Sequence, residues 1–172
     1  EECAFCPVGG YCMSGEFFPC SKGMFNVNGN STDATACTSC SAHFRGAENL
    51  VTKEPGAWLP EMCGCDVLFY DGKDLGAELP VCEMCDSETM VCEEIGLTVE
   101  TIPVAEGYWR LSNRTVDIHE CNVPGNFSAC ISGVDGTQCA EGHTGPRCEW
   151  CVVDTDWYDI ETGPCQDCGD IV

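Results

Sequence analysis

Apolar positions are scattered along this chain. No long run repeats at the helical period and no stretch alternates strictly, so neither a long amphipathic helix nor a long half-buried strand is predicted. The elements the pattern does predict are short. Cys65-Asp66-Val67-Leu68-Phe69-Tyr70-Asp71-Gly72 reads as a brief strand running into an Asp-Gly turn. Residues 98–104 are rich in β-branched side chains and predict a second strand, ended or pushed to a sheet edge by Pro103, that leads into Gly107-Tyr108-Trp109-Arg110. Helical propensity is confined to the neighbourhood of Gly46 to Val51. Residues 26–33 carry loop chemistry and are expected to be exposed. Cys6-Pro7-Val8-Gly9-Gly10-Tyr11-Cys12 and Pro19-Cys20-Ser21-Lys22-Gly23-Met24-Phe25 each place a glycine between a cysteine and an aromatic. Glycine permits the tight corner, and the ring covers the adjacent sulfur bridge.

Composition explains why the elements are short. The chain has 172 residues, of which 18 are Cys, and those cysteines inflate the apolar fraction of 44%. Too few aliphatic side chains remain for one continuous core, so stability is expected from cross-links worth ~2–4 kcal/mol each. The cysteines fall in three clusters: Cys3, Cys6, Cys12, Cys20, Cys37 and Cys40; Cys63, Cys65, Cys82, Cys85 and Cys92; and Cys121, Cys130, Cys139, Cys148, Cys151, Cys165 and Cys168. All are read as disulfide-bonded, which assigns the chain to the secretory lumen or the outside of the cell. Connectivity stays open; Cys139–Cys148 with Cys151–Cys165 and Cys148–Cys165 with Cys151–Cys168 both suit the last cluster. A pair separated by two residues recurs at 3/6, 37/40, 82/85, 148/151 and 165/168, a small repeated unit. Thiolates at that spacing also suit zinc or thioredoxin-like exchange, but the many other cysteines speak against both. The Cys-free stretch 41–62 is expected to be a linker or a loop over the next module.

Charge narrows the partners. The formal net charge is −22, from 29 acidic and 7 basic residues. That disfavours nucleic acid and anionic membrane surfaces, both of which call for basic patches. No apolar run is long enough to span a bilayer, so any membrane attachment is expected through segments outside this chain. A cysteine at position 3 and a finish just after a Cys pair are expected of an excerpt from a larger protein. Sequons at Asn30, Asn113 and Asn126 make these three the candidate glycosylation sites, with N-glycans as expected partners.

Candidate chemistry is sparse. His43, His119 and His143 sit in no nucleophile motif, and the glycines lack phosphate-binding spacing. No catalytic residues and no cofactor are expected. Asp117-Ile118-His119-Glu120-Cys121 resembles the start of calcium-binding epidermal-growth-factor modules, making Asp117 and Glu120 the candidate calcium ligands. The bland reading of Asp117 is a turn cap. Asp66, Asp71 and Asp74, with Gly72 and Gly76, form an acidic group read as a solvated loop. Trp109 is read as an aromatic lid over disulfides with Arg110 stacked on it, and Trp58, Trp150 and Trp157 are read likewise as lids.

Residues 3–40 resemble the ephrin-receptor-like cysteine-rich module, akin to tumour-necrosis-factor-receptor repeats, through Cys6-Pro7-x-Gly9-x-Tyr11, Pro19-Cys20-x-x-Gly23-x-Phe25 and Cys37-x-x-Cys40. Residues 63–168 resemble the cysteine-rich, epidermal-growth-factor-like region of large surface proteins of algae and other protists. The matching pieces there include Cys63-x-Cys65, Tyr70-Asp71-Gly72, Cys82-x-x-Cys85 and Gly107-Tyr108-Trp109-Arg110. The match continues through Gly142-x-Thr144-Gly145-Pro146-x-Cys148-x-x-Cys151 and Cys165-x-x-Cys168, with His143 replacing the usual aromatic. The resemblance implies a small disulfide-rich fold: tandem, elongated cysteine-rich and epidermal-growth-factor-like modules with short β-hairpins. The modules are expected at 1–41, at 42–106 with a long leading loop, and at 107–172. It implies a cell-surface scaffold, such as a stalk, coat or flagellar-hair filament, whose partners are other extracellular proteins or copies of itself. A ligand-binding receptor or adhesion ectodomain is the alternative.

Overall fold

The computed structural model describes residues 5–73, 79–121, 128–134, 139–152, 156–158 and 165–167. Among them, fourteen short strands make seven two-stranded antiparallel sheets, and the α-helix is a single turn, Cys40–His43. The fold is small, disulfide-rich and built from hairpins. Contacts divide it into two compact units, Glu1–Cys85 with Cys92–Thr98, and Asp86–Val91 with Val99–Val172. Three modules were expected. The expected boundary at 41/42 runs through one core, because Phe25 and Cys40 pack with Leu50, Ala57 and Cys65.

In the first unit, Gly10–Met13 pairs with Glu16–Pro19 across Ser14-Gly15. Both turn residues have positive φ, 54° and 84°, as a two-residue hairpin of the right twist requires. Met24–Phe25 pairs with Thr38–Ser39, and Ser39 Oγ then caps the helical turn by accepting from Ala42 N at 3.1 Å. The Cys-free stretch folds back on this layer. Asn26 N donates to Ala57 O at 3.0 Å, and Gly56 N donates to Cys20 O at 2.8 Å. Residues 50–52, at the edge of the expected helical region, form a strand, Leu50–Thr52, paired with Cys63–Cys65. Cys63 and Cys65 leave that strand on one face, as the single intervening glycine predicts, and both sulfurs join the core.

Two further expectations change. The strand expected from Cys65 is interrupted, since Asp66 O accepts from Phe69 N at 3.0 Å and turns the chain before Phe69–Asp71 pairs with Cys82–Met84. Asn26, expected in an exposed loop, is 1% exposed. Its Nδ2 donates to Gly10 O and Ser31 Oγ, both at 2.8 Å, and its Oδ1 accepts from Asn28 N at 2.9 Å. The asparagine amide thus satisfies the interior of a loop that has no ladder of its own.

In the second unit, Tyr108–Arg110 pairs with Ile118–Glu120, His143–Thr144 with Trp150–Cys151, and Asp156–Tyr158 with Cys165–Asp167. The core is Trp109, Ala129, Cys130 and Cys148, with Cys121 and Cys139 packed on it. Segment 86–91 belongs here: Val91 N donates to Pro103 O and Ala105 N to Thr89 O, each at 2.9 Å. The strand expected over 98–104 does not form; only isolated bridges at Thr98 and Val104 remain. Pro103 cannot donate to a ladder, and the carbonyls of Val99 and Ile102 are taken by the Arg110 side chain.

Candidate functional site

Eight disulfides join Cys6–Cys12, Cys20–Cys37, Cys40–Cys63, Cys65–Cys82, Cys85–Cys92, Cys121–Cys130, Cys139–Cys148 and Cys151–Cys165. Cys3 and Cys168 lie outside the described residues. Of the two pairings left open for the last cluster, the structure has the first. Each of these eight bridges joins cysteines adjacent in the cysteine order, so among the described residues the rings follow one another without nesting or crossing. The closely spaced pairs at 37/40, 82/85 and 148/151 each send their two sulfurs to different bridges. Sulfurs committed in this way are neither thiolate ligands nor a redox pair. Eight disulfides are the mark of an extracellular or secreted protein. Among the described residues, no helix is long and apolar enough to cross a membrane.

Residues 63–65 and 95–98 build one wall each of a cleft of about 470 Å³ in the first unit. The walls approach closely at one point. A Cβ on Gly64 would stand 2.6 Å from Gly96 Cα, so glycine is required there. Gly96 N donates to Cys65 O at 2.7 Å, and Asp71 N donates to Leu97 O at 2.8 Å, fixing the second wall. Lys53, Glu54 and Glu61 stand at the rim, exposed, over an interior that includes Met62, Ile95 and Leu97. The lining contains no histidine, and its cysteines are bridged. Such a cleft can hold an apolar or extended group.

Arg110 dominates the second unit. It is fully buried, and its guanidinium donates to four backbone carbonyls: Nη1 to Val99 O at 2.8 Å and Thr115 O at 3.3 Å, Nη2 to Ile102 O at 2.9 Å and Val134 O at 2.7 Å. The sequence placed this group on the Trp109 ring. Adjacent strand residues leave on opposite faces, so Trp109 enters the disulfide core while Arg110 gathers loops on the other side. Trp109 is thus a lid over Cys121–Cys130 and Cys139–Cys148. Trp58 and Trp150 are not lids of this kind, being 48% and 62% exposed, and the Trp157 side chain lies outside what is described.

Comparison with protein-family models, curated proteins and solved structures gives no match. The candidate ligands must therefore be weighed on geometry alone. Asp117 Oδ2 lies 3.3 Å from His119 Nε2, while Glu120, next along the strand, leaves on the opposite face. The two candidate calcium ligands do not converge. Asp71 is engaged as a turn cap, its Oδ1 accepting from Lys73 N at 3.2 Å and Val81 N at 2.9 Å, with Lys73 Nζ 3.4 Å from Oδ2. Asp66 Oδ1 accepts from Val67 N at 2.8 Å, and Asp74 and Gly76 lie outside the described residues. Among those residues, no group of three or more His, Cys, Asp or Glu side chains is placed to hold a metal ion.

Three buried groups escaped the sequence reading. Asn26 and the fully buried Thr52 are polar hubs; Thr52 Oγ1 accepts from Gly23 N at 3.1 Å and donates to Glu54 O at 3.0 Å. His143, treated as a minor turn residue, is 6% exposed. Its Nε2 accepts from Cys165 N at 2.9 Å, so Nδ1, 2.9 Å from Cys148 O, is the donor. Tyr70 is the titratable group that the fold perturbs most clearly. Burial, then the hydrogen bond to Glu83 Oε2 at 2.7 Å and the Glu83 charge, push its phenol up to about 12. Tyr108, hydrogen-bonded to Glu88 at 3.1 Å, is also raised, chiefly by that bond. The Thr35 hydroxyl and amide beside Asp33 hold its carboxyl below the usual range. Each of the three groups is engaged in a hydrogen bond with a neighbour in its own unit.

Proposed function

We propose that this chain is a non-enzymatic structural segment at the cell surface. It would serve as a stalk, coat or filament building block within a larger secreted or membrane-anchored protein. The observation that carries the reading is the series of bridges among the described residues. All sixteen described cysteines are consumed in staples, and the buried side chains of Asn26 and Arg110 donate to backbone carbonyls of the loops around them. The resemblance of residues 3–40 to ephrin-receptor-like modules, and of 63–168 to surface proteins of protists, supports the same reading, with tandem epidermal-growth-factor-like modules as the finer architecture. Its partners are other extracellular proteins or copies of itself, a flagellar hair being one such assembly. The acidic surface, at −22, favours partners with basic faces.

The cleft in the first unit favours a second reading, a ligand-binding or adhesion ectodomain. Sedimentation of the native protein, gently released from its source, with negative-stain imaging of the same fractions, separates the two. Regular polymers containing this chain are the expected result. A monomer that stays monodisperse at high concentration, with and without calcium, would overturn the structural reading in favour of the receptor.

A further inference from the structure

Asn30 differs from Asn113, the other sequon asparagine among the described residues. It is exposed, and its backbone is left-handed, φ 57°, a region asparagine tolerates better than most residues. The two ends of its amide have separate tasks. Oδ1 accepts from Cys6 N at 3.0 Å, and the Asn30 backbone N donates to Cys6 O at 2.8 Å, so the residue clamps the start of the Cys6–Cys12 ring. Nδ2 makes no hydrogen bond among the described residues. The residue before Asn30, Gly29, borders uncovered apolar surface. Phe5 is 65% exposed and sits against Gly29, where a Cβ would stand 3.2 Å from its Cζ; Val27 is 48% exposed.

We propose that Asn30 carries an N-linked oligosaccharide whose first sugars cover Phe5, and that the modification leaves the clamp on Cys6 intact. The chemistry permits both at once. Transfer from a lipid-linked oligosaccharide forms a bond between Nδ2 and C1 of the first sugar and breaks the C1–phosphate bond. Nδ2 loses one proton, and the lipid pyrophosphate leaves. The product is a secondary amide whose oxygen still accepts from Cys6 N–H. Thr32, the third sequon residue, is exposed and free to take part. At Asn113 the corresponding groups are committed: Asn113 is half-buried, Thr115 Oγ1 accepts from Asp117 N at 3.0 Å, and Thr115 O accepts from Arg110. Asn126 lies outside the described residues. The proposal rests on passage through a eukaryotic secretory lumen and not on the scaffold role, so its failure would leave that role standing.

The test is peptide mapping of the full chain secreted from eukaryotic cells, before and after peptide N-glycosidase, together with the melting temperature of four variants. Most copies of the Asn30 peptide are expected to be glycosylated, with aspartate left at position 30 after the enzyme. Thr32→Ala should lose the glycan and Thr32→Ser keep it. Asn30→Gln should lose the glycan and melt below Thr32→Ala, because the clamp goes too. Asn30→Asp, which retains an acceptor, should melt with Thr32→Ala. An unmodified Asn30 peptide in folded, secreted protein would overturn the glycan, and equal melting of Asn30→Gln and Thr32→Ala would overturn the clamp.

Discussion

Replacing Arg110 tests whether a buried cation, and not a sheet, organises the second unit. Methionine keeps an unbranched apolar stem and removes the guanidinium. Four carbonyls then lose their donor. Ile102 O is deeply buried and bears most of the cost of an unmet acceptor, about 2 kcal/mol. The carbonyls of Val99, Thr115 and Val134 are partly buried and recover water, so about 0.5 kcal/mol each is a fair share. The expected loss is about 3–4 kcal/mol, in the range for breaking a buried charge from its partners. Lysine retains the charge but lacks the planar fork, and is expected to recover less than half. Guanidinium unfolding with the disulfides intact, followed by tryptophan fluorescence, measures it. With a slope of about 3 kcal/mol per molar, the midpoint of Arg110→Met should fall by about 1 M. A loss under about 1 kcal/mol for Arg110→Met, or a Lys variant as stable as the native protein, would refute the account.

Two other perturbations follow from single residues. Asn26→Asp replaces two donors aimed at Gly10 O and Ser31 Oγ by a buried carboxylate, and should cost about 2–4 kcal/mol near neutral pH by the same unfolding assay, with part regained in acid. Tyr70 has a folded value near 12 against 10.0 in the unfolded chain. Its contribution is therefore complete below pH about 10 and is lost as pH rises towards 12. Tyr70→Phe should flatten that alkaline loss, and a native-minus-variant tyrosinate difference spectrum should show Tyr70 ionising towards 12; ionisation near pH 10 would contradict the burial argument.

Cysteine content made the small disulfide-rich fold, its short elements and its compartment legible. The glycine corners at Gly9 and Gly23, with φ of 84° and 80°, were legible because a Cys-Gly-aromatic spacing leaves few other conformations. What misled the reading was treating local propensity as if it bound the backbone. Residues 98–104 have β-branched side chains, but a side chain from the strand that follows them decides where their carbonyls go: Arg110 takes Val99 O and Ile102 O. Asn26 looked like loop because its interior partners, Gly10 and Ser31, come from segments whose approach depends on closures elsewhere. Pairing was illegible for a related reason. Spacing permits many sets, and only the folded path brings Cys40 beside Cys63 or Cys151 beside Cys165.

The serial order of the rings also decides where mechanical load would travel. A pull on the two ends passes through each sulfur bridge and bypasses the residues that the ring encloses, so those residues cannot be drawn out while the bridge holds. With the described disulfides, the longest stretch left in the line of force runs from Glu93 to Glu120, between Cys92 and Cys121. None of the described bridges shields it, and the Arg110 clamp on Val99, Ile102 and Thr115 resists extension there together with backbone bonds such as Val91 N to Pro103 O and Gly107 N to Cys130 O. With these bridges alone, the rings would act under tension as inextensible links, and the release length and rebinding of this longest unshielded segment would contribute most to how far a stalk made from it could stretch and recover.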